Sequence, residues 1–161
     1  MDMTVIAQRF IEASPASRLA RIEVLRAIDG HADVAMDTAV SLTNVMGSLH
    51  SAGLAVLVDA VGLAAIVSTG AETDFEGIVP LSRAATFKFL EPARGRLTAS
   101  CSLKDNARAM LDSLWSRAND RARFSTHGVV TNSSGVVVCR GTLDWSLRVR
   151  PDWARHPGAT L

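Results

Sequence analysis

The sequence predicts an α+β domain in which an antiparallel sheet wraps around one long apolar helix. The first observation is the run from Ala52 to Val67, which is apolar on every side and contains a single carboxylate, Asp59. The second is a period-two pattern after Ile78, which is typical of half-buried strands. A helix that is apolar all round must be enclosed, and a sheet is the simplest enclosure for a chain of 161 residues.

The first 30 residues are predicted to be mainly helical. Apolar residues recur at helical spacing from Met3 to Ile28. Ser14-Pro15 divides this stretch into two helical pieces, because proline breaks a helix interior. Asp29-Gly30 would end the second piece, with glycine in the left-handed position that closes many helices. We therefore expect residues 1–30 to form an N-terminal helical segment.

A strand and a turn are expected in front of the central helix. Ala32–Leu42 alternates loosely between apolar and polar residues, as a strand does. Thr43–Leu49 is predicted to be a turn in which Gly47 adopts a positive φ. The apolar helix then runs from about residue 48 or 50 to Val67.

The chain after the central helix is predicted to be mostly strands. Ala85, Phe87 and Phe89 share one face of the first strand, because side chains alternate across a strand. The elements expected in order are a strand from Ile78, a hairpin turn at Glu91–Gly95, a strand at Arg96–Leu103, a helix at Lys104–Ala118, and strands at Arg121–Thr131 and Val136–Val149 joined by a turn at Asn132–Gly135. Such a sheet leaves one edge unpaired, so we expect a homo-oligomer, with a dimer that shares a continuous sheet as its unit.

Composition and charge limit the function. No repeat or linker interrupts the chain, so residues 31–150 are predicted to form one domain with the preceding helices, followed by a polar tail at 151–161. Lys and Arg total 17 against 16 acids, a net charge of +1, which argues against nucleic acid as a partner. The apolar run is shorter than the roughly 20 residues of a membrane span and has Asp59 at its middle. With no secretory signal, we expect a cytoplasmic protein that binds no membrane.

Neither a metal nor a redox cofactor is predicted. Cys101 and Cys139 lack metal-ligand spacing and are expected to be small buried hydrophobic residues. The four His are scattered, without the paired spacing of a zinc site.

Asp59 is the first candidate for chemistry. An ionised carboxylate on a buried helix is unfavourable unless a group pairs with it or the protein uses it. Burial raises the pKa of a carboxyl group and makes it a better base at neutral pH. The alternative is that Asp59 simply pairs with a distant arginine.

Helical geometry places the start of this helix far from its acid. His50 and Asp59 are nine residues apart, so their side chains lie on opposite faces and roughly 13 Å apart along the axis. A site that uses both therefore needs the helix of a second subunit. The neighbours of Asp59 on its own face, Ala55, Gly62 and Ala52, are small. They leave room either for a ligand or for close helix packing.

These residues resemble the hotdog-fold acyl-CoA thioesterases, in particular the phenylacetate-pathway type and its mammalian relatives. The family pattern of Asn, then His-Gly-Gly, then an acid nine residues after the His is matched here by Asn44, His50-Ser51-Ala52 and Asp59, with Gly47 between. A strand that ends in Pro-Ala-x-x-Gly is matched by residues 82–95, and the closing hairpin is similar too. The resemblance covers about residues 32–149.

The resemblance implies a role for each matched residue. Backbone N–H groups of Ser51 and Ala52 at the helix N-terminus would bind the developing oxyanion. Asp59 of the partner subunit would act as general base or as nucleophile. Asn44 would orient the water or the acyl carbonyl, and Ser82 would position the water. His50 would either contact the ligand or hydrogen-bond nearby backbone.

The substrate-binding residues are less sharply defined. The family's Gly-Gly is Ser51-Ala52 here, and the added side chains would narrow the acyl slot or abolish activity. The residues expected to line the slot are Gly47, Ala52, Ala55 and Gly62, and those expected to bind the CoA phosphates are Arg83, Arg94, Arg140, Arg148 and Arg150. Coenzyme A would enter only as part of the substrate.

Three alternatives remain open from the sequence. One is a hotdog hydratase or dehydratase, which would pair His50 with Asp59 across subunits. Another is a non-catalytic acyl-CoA-binding protein, favoured by the altered Ser51-Ala52. The third is a structural oligomer in which Asp59 is paired to an arginine.

Overall fold

A six-stranded antiparallel sheet curves around one central helix in the computed structural model, which describes residues 1–149. The strands lie in the order β1-β2-β4-β5-β6-β3. The elements are α1 (Thr4–Glu12), α2 (Pro15–Ala20), β1 (Glu23–Ile28), β2 (His31–Asp37), α3 (Ser51–Val67), β3 (Ile78–Phe89), β4 (Arg96–Ser102), α4 (Asp105–Trp115), β5 (Arg121–Asn132) and β6 (Val137–Val149), with short 3-10 turns at Val40–Leu42 and Glu72–Phe75. The predicted α+β architecture is confirmed, while the tail predicted at 151–161 lies outside the described residues.

Helix α3 is the centre of the core, as its sequence predicts. Leu57 and Val61 are fully buried, and the helix is enclosed on nearly every side from Leu57 to its end. The inner face of the sheet comes very close to it where Gly128 and Gly141 are cross-strand neighbours. A Cβ on Gly141 would lie 2.7 Å from a methyl carbon of Val58, so only glycine permits this spacing.

The helix predicted up to Ile28 is wrong in its second half, because residues 23–28 form strand β1. A register shift between Val24 and Arg26 marks a β-bulge. The bulge puts Val24 and Ala27 on the same buried face although they are three residues apart. Asp29-Gly30 is therefore not a helix end but a two-residue hairpin turn, with φ values of 46° and 77°.

The hairpin predicted at Glu91–Gly95 is also wrong. Strand β3 pairs only with β6, whereas β4 lies between β2 and β5, so this segment crosses to another part of the sheet. As a result β3 forms one edge of the sheet, and most of its twelve residues are exposed. The sheet therefore has two edges, β1 and β3, rather than the one that was predicted, and β3 is the longer and more exposed of the two.

Other predictions agree with the structure. The turn at Asn132–Gly135 joins β5 and β6, with Gly135 at φ 77°, and the Asn132 carboxamide oxygen accepts the N–H groups of Ser134 and Val136. Cys101 and Cys139 are buried on the inner side, where burial raises the pKa of Cys101 to about 11. No helix in residues 1–149 is long and apolar enough to cross a membrane.

Candidate active site

Asp59 lies at an apolar cleft between α3 and the edge strand β3. The Ser82 hydroxyl donates a hydrogen bond of 3.0 Å to Oδ1 of Asp59. The cleft has a volume of about 280 Å³. Its other lining residues are Ser14, Ala16 and Ser17 around α2, Ala55 and Val56 on α3, Ala85 and Phe87 on β3, and Leu143 on β6. The pairing of Asp59 with Ser82 brings two of the predicted site residues together.

The environment of Asp59 makes its carboxylate basic. Burial raises the pKa of Asp59, and the hydrogen bond from Ser82 opposes part of this increase. No cation compensates the charge, since none of the ion pairs within residues 1–149 includes Asp59. Within one subunit no arginine of residues 1–149 pairs with Asp59, and a cleft adjoins it.

The N-terminus of α3 offers one free backbone donor rather than two. His50 is the N-cap residue, and its Nδ1 accepts the N–H of Ala52 at 3.0 Å. The N–H groups of Gly53 and Leu54 both reach the carbonyl oxygen of His50. Within residues 1–149 the Ser51 N–H alone in this turn has no acceptor, so it is the available oxyanion donor. The expectation that Ala52 shares this role is not supported, because its N–H is already bonded.

The same hydrogen bond defines what His50 can do. Because Nδ1 accepts a backbone N–H, the neutral ring carries its proton on Nε2 in this arrangement. Nε2 can then donate to a ligand but cannot accept a proton from one. His50 therefore acts as a helix cap, and it is poorly suited to be the base of a hydratase.

The residues before α3 hold the loop that leads into it. The Asn44 carboxamide donates to Oγ of Ser48 at 2.9 Å and accepts the N–H groups of Met46 and Ser48. Gly47 has a φ of 71°, as predicted, and lies at the exposed turn outside the cleft. Arg94 donates to the carbonyl oxygen of Met46 at 2.9 Å, so it braces this loop. Asn44 thus lies at the N-terminal end of α3, and in one subunit it shares no contact with Asp59.

The small residues around Asp59 have different roles: one lines the cleft and another allows close packing against the sheet. Ala55 lines the cleft, as predicted. Gly62 does not, because it is buried against the sheet, and a Cβ there would lie 2.8 Å from Oγ1 of Thr126. Ala52 is exposed at the first turn of the helix. Close packing rather than ligand binding therefore explains Gly62.

The arginines expected to bind CoA phosphates do not line the cleft. Arg83 lies at a bulge in β3 and, with Arg123 and Asp144, lines a depression on the outer face of the sheet. Arg140 and Arg148 are also on that face, opposite the side that contacts α3. Arg150 lies outside the described residues.

Sequence reasoning missed the residues that close the cleft. Ser14, Ala16 and Ser17 form a wall of small side chains at α2, and Phe87 and Leu143 form the opposite wall. Small residues beside a proline carry no signal for ligand contact, since they are equally common in exposed helix starts. Phe87 could have been predicted as a cleft residue, because it lies on the same predicted strand face as Ala85 and Phe89.

Comparison with known proteins identifies the fold. A family model described as a domain of unknown function (DUF4442) matches residues 5–147. No curated protein matches the sequence. Among solved structures, a protein of unknown function from Pseudomonas aeruginosa, named a probable thioesterase, is 20% identical and has a TM-score of 0.73, covering 90% of this chain and 95% of its own.

Two further structures are similar over most of their length. The PaaI protein from the phenylacetic acid degradation operon of E. coli is 17% identical with a TM-score of 0.64, covering 89% of this chain and 94% of its own. A hypothetical thioesterase from Streptococcus pneumoniae, solved with coenzyme A, is 17% identical with a TM-score of 0.63, covering 89% and 98%. At these identities the similarity establishes the fold, and the predicted hotdog fold is confirmed.

Proposed function

This chain belongs to the DUF4442 family, and we propose that it is a thioester hydrolase that cleaves an acyl-CoA at a site shared by two copies of the chain. The observation that carries the proposal is Asp59: a desolvated carboxylate, oriented by Ser82, without a counter-charge, beside an apolar cleft. A perturbed acid in a cleft is typical of a catalytic base. That one similar structure contains coenzyme A supports a CoA thioester as substrate.

The reaction follows from these groups. Asp59 takes a proton from a water molecule, whose oxygen adds to the thioester carbonyl carbon. The Ser51 N–H and the α3 N-terminus stabilise the negative charge on the carbonyl oxygen. The C–S bond then breaks, and the protonated Asp59 returns its proton to the leaving thiolate. The products are a carboxylic acid and a free thiol. No metal or redox cofactor enters these steps.

Two subunits are required because one helix cannot bring both groups to the same carbonyl. Ser51 and Asp59 are eight residues apart, about 12 Å along α3. A reacting carbon must lie about 3 Å from both the base-activated water and the oxyanion donor. The exposed edge strand β3, which carries Ser82, supports pairing with a second β3 in one continuous sheet. Asn44 of that partner would then approach Asp59.

A mixing experiment tests both the residues and the shared site. Asp59→Asn removes the base with almost no change in shape. Ser51→Pro removes the free N–H at the first helical position, where proline is well tolerated, and the extended His50 in front of it (ψ 149°) also accepts a following proline. Each variant alone should release no thiol from acyl-CoAs of short, long and aromatic chains.

Co-refolded mixtures of the two variants should recover activity. Half of the dimers would be mixed, and each of these has one site with both groups intact, so about a quarter of wild-type turnover should return. If both variants are inactive alone and their mixture recovers no activity, then both groups act within one subunit and the shared site is refuted. Full activity of Asp59→Asn would remove Asp59 from the chemistry.

A non-catalytic acyl-thioester-binding protein is the second candidate, because α3 presents one free N–H where two would stabilise an oxyanion better. Acyl-CoA that binds and is recovered intact, with no thiol released by the wild type, would favour it. The cytoplasmic location stays a prediction. The CoA contacts expected of Arg83, Arg140 and Arg148 do not enter this proposal, because these side chains lie on the outer face of the sheet and do not line the cleft.

A further inference from the structure

The outer face of β3, β5 and β6 carries a concentration of positive charge. Six cations lie on it, against one carboxylate, Asp144, although the whole chain has a net charge of only +1. We call this surface the basic sheet face; its members are Arg83, Lys88, Arg121, Arg123, Arg140 and Arg148. Each of them is exposed.

None of these six side chains has a partner within residues 1–149. They form no ion pair and no hydrogen bond there, and Asp144 instead accepts a hydrogen bond from Ser125 at 2.5 Å. Several arginines elsewhere in the chain are paired, such as Arg9 with Glu72 and Arg96 with Glu23. The basic sheet face is thus a solvent-exposed patch whose positive charge is not neutralised by other groups of residues 1–149.

The strand register makes this arrangement unfavourable for the isolated subunit. Lys88 is directly opposite Arg140, and Arg121 is directly opposite Arg148. Like charges in directly opposed positions destabilise a sheet. Only one acid, Asp144, lies between the two pairs along β6, so the face would be complemented by an anionic partner surface.

The dimensions of the face favour an extended partner. The two like-charge pairs are separated by eight residues along β6, or about 26 Å. An α-helix of about 17 residues has this length, whereas the phosphates of one nucleotide would reach only one pair. Arg121 and Arg123 also line a groove of about 680 Å³ against α4, where Met110 and Ala109 provide apolar contact. Charge at both ends and an apolar groove beside them fit an amphipathic acidic helix.

A second copy of the chain does not fit this face. A two-fold contact would place the same cations against each other. Duplex nucleic acid fits less well than a protein, because the face is one patch in a chain of nearly balanced charge.

We propose that the basic sheet face docks an acidic helix of a carrier protein that presents the acyl thioester. The choice of a carrier as partner rests on the proposed hydrolase function, while the docking of an acidic helix does not. The face lies on the reverse side of β3 and β6, the strands whose inner side chains Ser82, Phe87 and Leu143 line the cleft. Docking there would hold the carrier close to the site.

The test measures binding and hydrolysis separately. Fluorescently labelled acyl carrier protein in its apo form serves as the probe, in roughly 0.05 M salt, where long-range charge interactions persist. The double variant Arg121→Gln/Arg148→Gln should weaken binding by about tenfold or more. The matched control Arg21→Gln/Arg26→Gln removes the same charge from exposed positions at β1, the opposite edge of the sheet, and should bind like wild type.

Hydrolysis should follow the same pattern. For a thioester on the carrier, kcat/KM should fall with binding in the Arg121/Arg148 variant, whereas a neutral short thioester without nucleotide should be turned over normally. Unfolding midpoints should rise in this variant, because a like-charge pair is removed. Asp59→Asn should bind the carrier like wild type and release no thiol. A wild type that binds the carrier but releases no thiol would reject the hydrolase and leave docking in place.

Three outcomes would overturn the docking proposal. One is that the wild type does not bind the carrier, or that the double variant binds it equally well. Another is that a short RNA duplex binds in a way that depends on these arginines while the carrier does not. The third is that kcat/KM of the Arg121/Arg148 variant falls equally for acyl-CoA and for the carrier thioester, which would assign the face to binding of nucleotide phosphates.

Discussion

Replacing Gly62 with alanine tests whether a small residue near Asp59 is needed for close packing or for substrate binding. The added Cβ would lie 2.8 Å from Oγ1 of Thr126 and 3.3 Å from an indole carbon of Trp145. Both neighbours are at most 4% exposed, and the Trp145 indole N–H donates to Thr126 at 2.8 Å. A β-branched residue fixed by a buried hydrogen bond has little freedom to move away.

The expected loss of stability can be worked out from these contacts. Overpacking a core costs about 1–3 kcal/mol, and a disturbed buried hydrogen bond costs about 1 kcal/mol more. Alanine in place of glycine within a helix returns about 1 kcal/mol. Gly62→Ala should therefore lower the free energy of unfolding by about 1–3 kcal/mol, and Tm by about 2–12 °C for a chain of this size.

The assay is urea and thermal unfolding followed by tryptophan fluorescence, with thiol release measured on the same samples well below Tm. Turnover per folded molecule should be unchanged, because Gly62 packs against Thr126 and Trp145 and does not line the cleft. Ala55→Val is the matched variant, two turns earlier on the same face of α3, where that face lines the cleft: it should change KM and leave stability nearly unaltered. Unchanged stability of Gly62→Ala together with impaired turnover would falsify this account and make Gly62 part of the substrate slot.

Three further predictions concern the site. Burial raises the pKa of Asp59 above its unfolded value, so its favourable contribution to stability is present below the unfolded pKa and is lost as pH rises through the folded pKa. In urea unfolding at several pH values, Asp59→Asn should therefore gain stability relative to wild type as the pH is raised. If the variant were less stable than wild type at pH 8, the carboxylate could not be unpaired. In wild type, kcat/KM for thiol release should fall as acidification protonates Asp59, and the midpoint pH of this fall should lie above the ordinary pKa range of an aspartate. If kcat/KM stayed constant down to that range, Asp59 would not be the base. His50→Ala should lose the cap on the Ala52 N–H and about 0.5–2 kcal/mol of stability in denaturant unfolding, whereas His50→Asn, which can still cap, should recover most of it.

The core could be predicted from the sequence because its signal is strong and local. A long apolar run with one acid specifies both the central helix and the special position of Asp59. Ser82 could be placed at the site only through the resemblance to a family, since no local pattern links residues 23 positions apart on a helix and a strand.

The failures have identifiable physical causes. Strand β1 imitates a helix because its bulge restores a three-residue spacing of buried side chains, Val24 and Ala27. The segment at Glu91–Gly95 has the composition of a turn, but composition does not say which strand comes next in the sheet. Ala55 and Gly62 give the same signal, and only the position of the sheet shows that one faces the cleft and the other faces Thr126.

The strand order also sets when the cleft can exist during synthesis. Strand β3 pairs only with β6, so its last residue, Phe89, must wait for a strand that ends at Val149. At about 5–20 residues per second, the ribosome needs about 3–12 s to make the intervening chain. Until then Asp59 has no Ser82 beside it. A nascent chain that stalls early would carry the acid and the helix but no cleft, so translation of the final strand completes the site.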